Sequence, residues 1–353
     1  MPDRNPKMLV WCCNNYSQYK KLKVGKHYKR LKCGGLGDRI KALMTVKIWA
    51  QLFGIPFFIN WETENIKPWF EYADFKTITK SVNKRSVYSV FPYKDNQQLL
   101  ELISKLSQQN IFGNHCNLVL TNNMFWKYIF VNPHIKIPGT PNEHVKHEFN
   151  QLYTHILKPT PLFLSLVDKI IGNNKQPIVG IQLRTGDLNM GVGKSFSLDY
   201  TKNSNLKIED LLKNIKTHLE FTYQKYVIFI TSDYPQINQL CQKIWEPEDI
   251  IYNEDKICHL DKYSPKDSHQ LSKIFIDNYI LSQKTEVLYA SLLNSGYSQV
   301  AYLSGVHEQG YDIEQFQSKK LQEQELGSIF PMSKEEMISY LSTIDLTKKK
   351  TKT

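Results

Sequence analysis

The sequence lacks the short motifs that announce several common chemistries. Its six cysteines, Cys12, Cys13, Cys33, Cys116, Cys241 and Cys258, never stand in C-x-x-C spacing. That excludes a cysteine zinc ribbon and a disulfide framework, and it favours a reducing compartment. There is no D-x-D, so the paired carboxylates that often hold a divalent metal on a nucleotide sugar are missing, and no H-E-x-x-H suggests a catalytic zinc. No segment approaches the roughly 20 apolar residues that span a bilayer. The opening stretch MPDRNPKMLVWCCNN also lacks the apolar core of a signal peptide. These absences predict a soluble, cytoplasmic chain, the alternative being a lumenal domain without its anchor. No clustered basic and aromatic stripe points to nucleic acid.

What is present is a chain of 353 residues with a formal charge of +11. The length suits two domains better than one core. Part of the positive charge sits in Lys348, Lys349, Lys350 and Lys352, a solvated tail, and the remaining excess suits a small anionic ligand. A polar break at Lys158-Pro159-Thr160-Pro161 changes the character of the chain. The predicted domains are therefore 1–157 and 158–330, followed by a C-terminal helix and basic tail over 331–353.

Two stretches carry the strongest local signals. In the first, KCGGLGDRIKALMTVKIWAQLFGIPFFINWE, glycines 34, 35 and 37 make a loop, and Ile40, Leu43, Met44, Ile48 and Leu52 recur at helical spacing. Gly54 stops that helix, and Ile55 to Trp61 read as a strand. Glycines allow close backbone approach, and the helix start offers unpaired N–H groups to phosphate. In the second stretch, PIVGIQLRTGD, a buried strand ends at Arg184, where open α/β sheets bind ligands. Two readings stand for Arg184: a phosphate-binding guanidinium, or a strand end that makes a surface ion pair. Another strand, Tyr226 to Ile230, leads into Thr231, Ser232 and Asp233. There Asp233 either accepts the paired N–H donors of a purine or caps a helix beginning near Pro235.

Downstream, Ser268 to Ser282 reads as helix, Val287 to Tyr289 as strand and Ser291 to Tyr297 as turn, with Ser298 to Leu303 continuing the alternation that marks a parallel sheet. The middle of the chain, Lys67 to Asn150, reads as mixed helix and strand. Its aromatics Trp69, Phe70, Tyr72, Trp126, Tyr128 and Phe130 either floor a sugar site or pack the core. The run Gly191-Val192-Gly193-Lys194-Ser195 is a false friend, because Leu188 stands where a P-loop needs its first glycine.

Three segments in order, CGGLGDRIKAL, VGIQLRTGD and DNYILSQKTEVLYASLLNSGYSQVAYLSG, resemble the motif regions of inverting fucosyltransferases that use GDP-fucose, the group containing α1,6-, α1,2- and protein O-fucosyltransferases. FITSDYP between the last two resembles that family's strand-end Thr-Asp-Asp-Pro region. The resemblance implies an α/β fold of the GT-B kind, two Rossmann-like domains facing a central cleft, and transfer of L-fucose to a glycan hydroxyl without a metal or other cofactor. The alternatives are another nucleotide sugar on the same fold, or a non-catalytic relative that binds glycan or nucleotide.

By that resemblance the phosphate-binding Arg is Arg184 and the guanine-reading Asp is Asp233, beside Ser232. The serine-rich turn maps onto Ser291, Ser295 and Ser298. Gly35, Gly37, Asp38 and Arg39 form the first-domain loop facing the donor phosphates or acceptor. Gln182 stands where many members have His and can still hydrogen-bond base or ribose. The catalytic Glu of the α1,6 group has no counterpart in this chain, which leaves Asp187, Asp38 and Asp199 as candidate bases. Arg184, the turn hydroxyls and helix N-termini would stabilise the charge growing on departing GDP.

Overall fold

The structure, a computed structural model, describes residues 8–13, 35–52, 54, 56–61, 65–74, 87–90, 117–120, 141–184, 204–233, 236–254, 268–293, 295–307, 309–316 and 329–343. The predicted helix Gln97 to Leu106, the aromatics Trp126, Tyr128 and Phe130, the Gly193-Lys194 loop, Asp187, Asp199 and the lysine tail lie outside these residues. The chain divides into two compact units, one of Met1–Pro159 with Ile338–Thr353 and one of Thr160–Met337.

The first unit is built on a parallel sheet. Its strands β1 (Met8–Cys13), β2 (Phe57–Trp61), β4 (Val87–Val90) and β5 (Asn117–Leu120) lie in the order β2-β1-β5-β4. Helix α1 (Leu36–Leu52) connects β1 to β2. Ile40, Leu43, Met44 and Ile48 of its expected apolar stripe are buried, but so are Ala42, Thr45 and Val46, so the helix is enclosed on more than one side. That enclosure explains the low polarity of its middle turns. Gly54 then adopts φ +60, a left-handed conformation that a side chain strains, and its N–H caps the carbonyl of Gln51. Helix α2 (Pro141–Asn150) follows later, and a short antiparallel pair, β3 (Phe70–Glu71) with β6 (Lys158–Pro159), completes the unit.

The second unit opens with α3 (Pro161–Ile171), whose N-cap Thr160 accepts a hydrogen bond from the Phe163 N–H. Strand β7 (Ile178–Leu183) is buried at all six positions. Around it run α4 (Ser204–Thr222), β8 (Val227–Ser232), α5 (Ile237–Cys241), β9 (Ile250–Ile251), α6 (Ser268–Gln283), β10 (Val287–Ala290), α7 (Gly296–Leu303), β11 (Gln309–Asp312) and β12 (Met332–Ser333); the unit ends in the first turn of α8 (Lys334–Thr343), whose later residues count with the first unit. The strand order is β12-β11-β10-β7-β8-β9, parallel except for β12. Counted from β7, the parallel strands follow the doubly wound order 3-2-1-4-5.

Alternation along β7 assigns its two faces. Val179, Ile181 and Leu183 join Leu211, Leu212, Ile215 and Leu219 of α4 in one core, whereas Gly180 and Gln182 face α6 and α7. Gly180 is needed for packing. A Cβ there would stand 3.0 Å from Thr285 Cγ2 and 3.1 Å from Leu281 and Leu288 methyls.

Three local expectations change. Strand β8 runs on through Ser232, because Thr231 and Ser232 pair in register with Gln182 and Leu183. The helix after it starts at Ile237 with Gln236 at the cap position, so Asp233 is not its cap. Helix α7 begins at Gly296, inside the stretch read as turn, because Ser295 caps it by accepting from the Ser298 N–H at 3.3 Å.

Candidate functional site

In the second unit, successive strands run from β7 to β9 on one side before α6 carries the chain back to β10 on the other side of β7. The topology therefore reverses between β7 and β10, and ligands of open α/β sheets bind outside the carboxyl ends of strands at such a point. Two residues leave the sheet there, Arg184 after β7 and Ser291 after β10. They are joined directly. The Arg184 backbone N–H donates to Ser291 Oγ at 3.1 Å, and the Ser291 N–H donates to the Gln182 carbonyl at 3.2 Å.

Four contacts hold the turn that follows Ser291 and the first turn of α7. Asp312, at the end of β11, accepts the Leu293 N–H at 2.7 Å. The Gln299 amide donates to the Leu292 carbonyl, and the Asn278 amide donates to that of Tyr297. Ser298 Oγ donates to Gln182 Oε1, and both side chains are buried. Gln182 and Ser298 therefore tie the end of β7 to the first turn of α7. The side-chain cap on α7 comes from Ser295, leaving the start of that helix at the switch point with the partial positive charge of a helix N-terminus.

On the other side of β7, Arg184 meets Asp233. The Nη1 atom of Arg184 lies 2.9 Å from Asp233 Oδ2, with side-chain exposures of 28% and 5%. The contact joins opposite charges without hydrogen-bond alignment at Oδ2. Arg184 thus makes an ion pair, with a buried carboxylate rather than at the surface, and its partner is the carboxylate read separately from the sequence. Ser232, buried beside Leu183, fixes the register that brings the two together.

Thr231, two residues before Asp233, joins a polar network that the sequence did not reveal. Asp277 of α6 accepts from Thr231 Oγ1 at 2.9 Å and from Asn253 Nδ2 at 3.0 Å, and Lys273 Nζ lies 3.0 Å from its Oδ2. Lys273 also donates to the Asn253 carbonyl at 2.7 Å. Burial raises the Asp277 carboxyl above its ordinary range, against the opposing pull of Lys273 and the two hydrogen bonds. The network ties the ends of β8 and β9 to α6. Its only sequence signal is an Asp and a Lys, four residues apart, inside the apolar helix LSKIFIDNYIL.

In the first unit, Gly35 begins the described loop, and its carbonyl accepts the Arg39 N–H at 3.1 Å. Gly37 is buried in the first turn of α1, with Asp38 half-buried beside it. Burial lowers the Lys41 ammonium below its usual range, with Asp38 opposing that shift. Arg39 is enclosed, its guanidinium carbon 6.0 Å from the centroid of the Trp61 ring. Among the described residues no three His, Cys, Asp or Glu side chains form a group that could hold a metal ion, and no helix is long and apolar enough to cross a membrane.

No protein-family model matches the sequence, and no curated protein matches it. Solved structures do. NodZ α1,6-fucosyltransferase soaked with GDP-fucose is similar at a TM-score of 0.52 with 13% identity, over 93% of this chain and 99% of that one. Fucosyltransferase NodZ from Bradyrhizobium is similar at 0.53 with 12% identity, over 87% and 96%. A mutant of Arabidopsis thaliana FUT1 in complex with GDP is similar at 0.51 with 14% identity, over 88% and 71%. What is shared at these identities is the fold, α/β of the two-Rossmann GT-B class.

Proposed function

We propose that this chain is an inverting, metal-independent glycosyltransferase that transfers L-fucose from GDP-fucose to a glycan hydroxyl. The observation that carries the reading is the meeting of Arg184, Ser291 and the start of α7 at the switch point of the second unit. The fold supports it, since its solved representatives include NodZ soaked with GDP-fucose and FUT1 with GDP. A diphosphate suits that place. A guanidinium can grip phosphate oxygens bidentately, and a helix N-terminus favours negative charge.

In the reaction the bond from fucose C1 to the β-phosphate oxygen breaks and its electron pair leaves with GDP. The acceptor oxygen bonds to the opposite face of C1 and gives up its proton. Arg184, the Ser291 to Ser295 turn and the helix start would stabilise the charge that grows on GDP, while Gln182 and Ser298 keep the turn in place. Asp38, on the acceptor-side unit with Gly35, Gly37 and Arg39, and Asp187, three residues beyond Arg184, are the candidate bases. A general base contributes about 10²- to 10⁴-fold, so charge stabilisation can remain the larger effect. The scattered cysteines, with Cys241 buried and free, favour a reducing compartment, and we place the enzyme in the cytoplasm.

The test is binding of GDP, GDP-fucose, UDP-glucose and ATP with and without EDTA, followed by donor hydrolysis. GDP and GDP-fucose should bind whether or not EDTA is present, with release of fucose. A preference for UDP would discard the donor. Arg184→Ala should lower turnover by about 10²- to 10³-fold with an unchanged circular dichroism spectrum; near-normal turnover would remove Arg184 from the chemistry.

A further inference from the structure

We propose that Asp233 is a positioning residue that fixes the Arg184 guanidinium for a diphosphate, and that it does not contact the base. The inference rests on the reading of the switch point as a diphosphate site. Its ground is the order of burial across the pair. The Asp233 carboxylate lies inside at 5% exposure, and the Arg184 side chain lies outside it at 28%. A carboxylate that reads guanine must turn both oxygens towards two N–H donors of the ligand. Asp233 instead is enclosed and faces a cation at 2.9 Å.

Register places the two residues next to each other. Leu183 and Ser232 are partners in neighbouring parallel strands, so Arg184 and Asp233 leave the sheet side by side. Ser291 Oγ accepts the Arg184 N–H, which fixes the main chain of the same residue. Arg184 is thus held twice, at its backbone N–H by Ser291 and at its guanidinium by Asp233. A long side chain that would otherwise be ordered only when the anion arrives is ordered beforehand, and such preorganisation raises affinity. The guanidinium has five N–H donors, so one charge contact leaves capacity for phosphate oxygens. It also stands between the carboxylate and the exposed side, which limits their repulsion of an incoming anion.

The experiment uses the full chain and its Arg184→Ala, Asp233→Ala, Asp233→Asn and double Ala variants, with calorimetric titration of GDP, UDP and inorganic diphosphate. Asp233→Ala should weaken GDP and inorganic diphosphate by a similar factor of about tenfold. The preference for GDP over UDP should stay as it was, and the same change in the Arg184→Ala background should have no further effect. Three results would overturn the proposal: loss of the GDP preference with inorganic diphosphate unaffected, tighter diphosphate binding, or full additivity in the double variant. If the unaltered chain binds neither GDP nor diphosphate, the diphosphate reading fails and this role fails with it. If the unaltered chain binds both and Asp233→Ala binds them equally well, only the role of Asp233 fails. Asp233→Asn, closest in shape, supplies the measurement should the Ala variant not fold.

Discussion

His307 shows how one buried residue makes the second unit sensitive to pH. Its ring stacks on Tyr302 at 5.3 Å between centroids, and Lys334 is buried nearby with its ammonium on the Gly305 carbonyl. Burial and then the Lys334 charge push the imidazole down to about 3, from an ordinary value of 6.5. The folded state therefore keeps His307 neutral where the unfolded chain takes up a proton. Its contribution is fully present above pH 6.5 and is lost as the pH falls towards 3, at up to about 1.4 kcal/mol per pH unit. Burial shifts His218 in the same direction. Urea titrations at pH 7.5, 6 and 5 should show this fall, and His307→Gln should have a flatter profile; an equal slope in the variant would remove His307 as its source. The site residues differ in how far the sequence could place them. Arg184 was legible, because an apolar run ending in a cation is a one-dimensional signal. Asp277 was not, since its partners Thr231 and Asn253 lie 46 and 24 residues away.

At the level of elements, β7 sets the positions of both halves of the site. Its residue Gly180 lets α6 and Thr285 approach the sheet, and Gln182 reaches α7 two residues on. Gly180→Leu should force these elements apart and destabilise the chain by about 1–3 kcal/mol. Gly180→Ala should cost less, because its added methyl meets side-chain atoms at 3.0 to 3.1 Å that can shift slightly. Denaturant midpoints would decide the order, and equal midpoints for both variants would refute the packing argument. Periodicity makes α1, β2 and β7 legible in the chain itself. It fails at Gly296, where polar residues read as turn, because the helix there is specified by the Ser295 cap, by the contact of Gln299 with the Leu292 carbonyl and by that of Asn278 with the Tyr297 carbonyl.

For the molecule as a whole, the excess of positive charge favours any anionic ligand at long range. Such attraction is screened over about 8–10 Å at physiological salt. Raising salt from about 0.05 to 0.5 M should therefore weaken GDP binding measurably, whereas guanosine should bind with little salt dependence; equal salt dependence of the two would argue against a diphosphate contact. By itself the sequence determined the α/β class, the strands and helices of the described residues named above, and the cation at a strand end. These are set by local periodicity, glycine conformations and the burial of apolar runs. Tertiary structure alone decided that β10 lies beside β7, that Ser291 binds the backbone of Arg184, and that Asp233 is its ion partner rather than a cap. Those pairings depend on strand order and register, and the residues they join are separated by as many as 107 positions. No local pattern encodes which strands become neighbours, because that choice follows from the packing of the whole sheet.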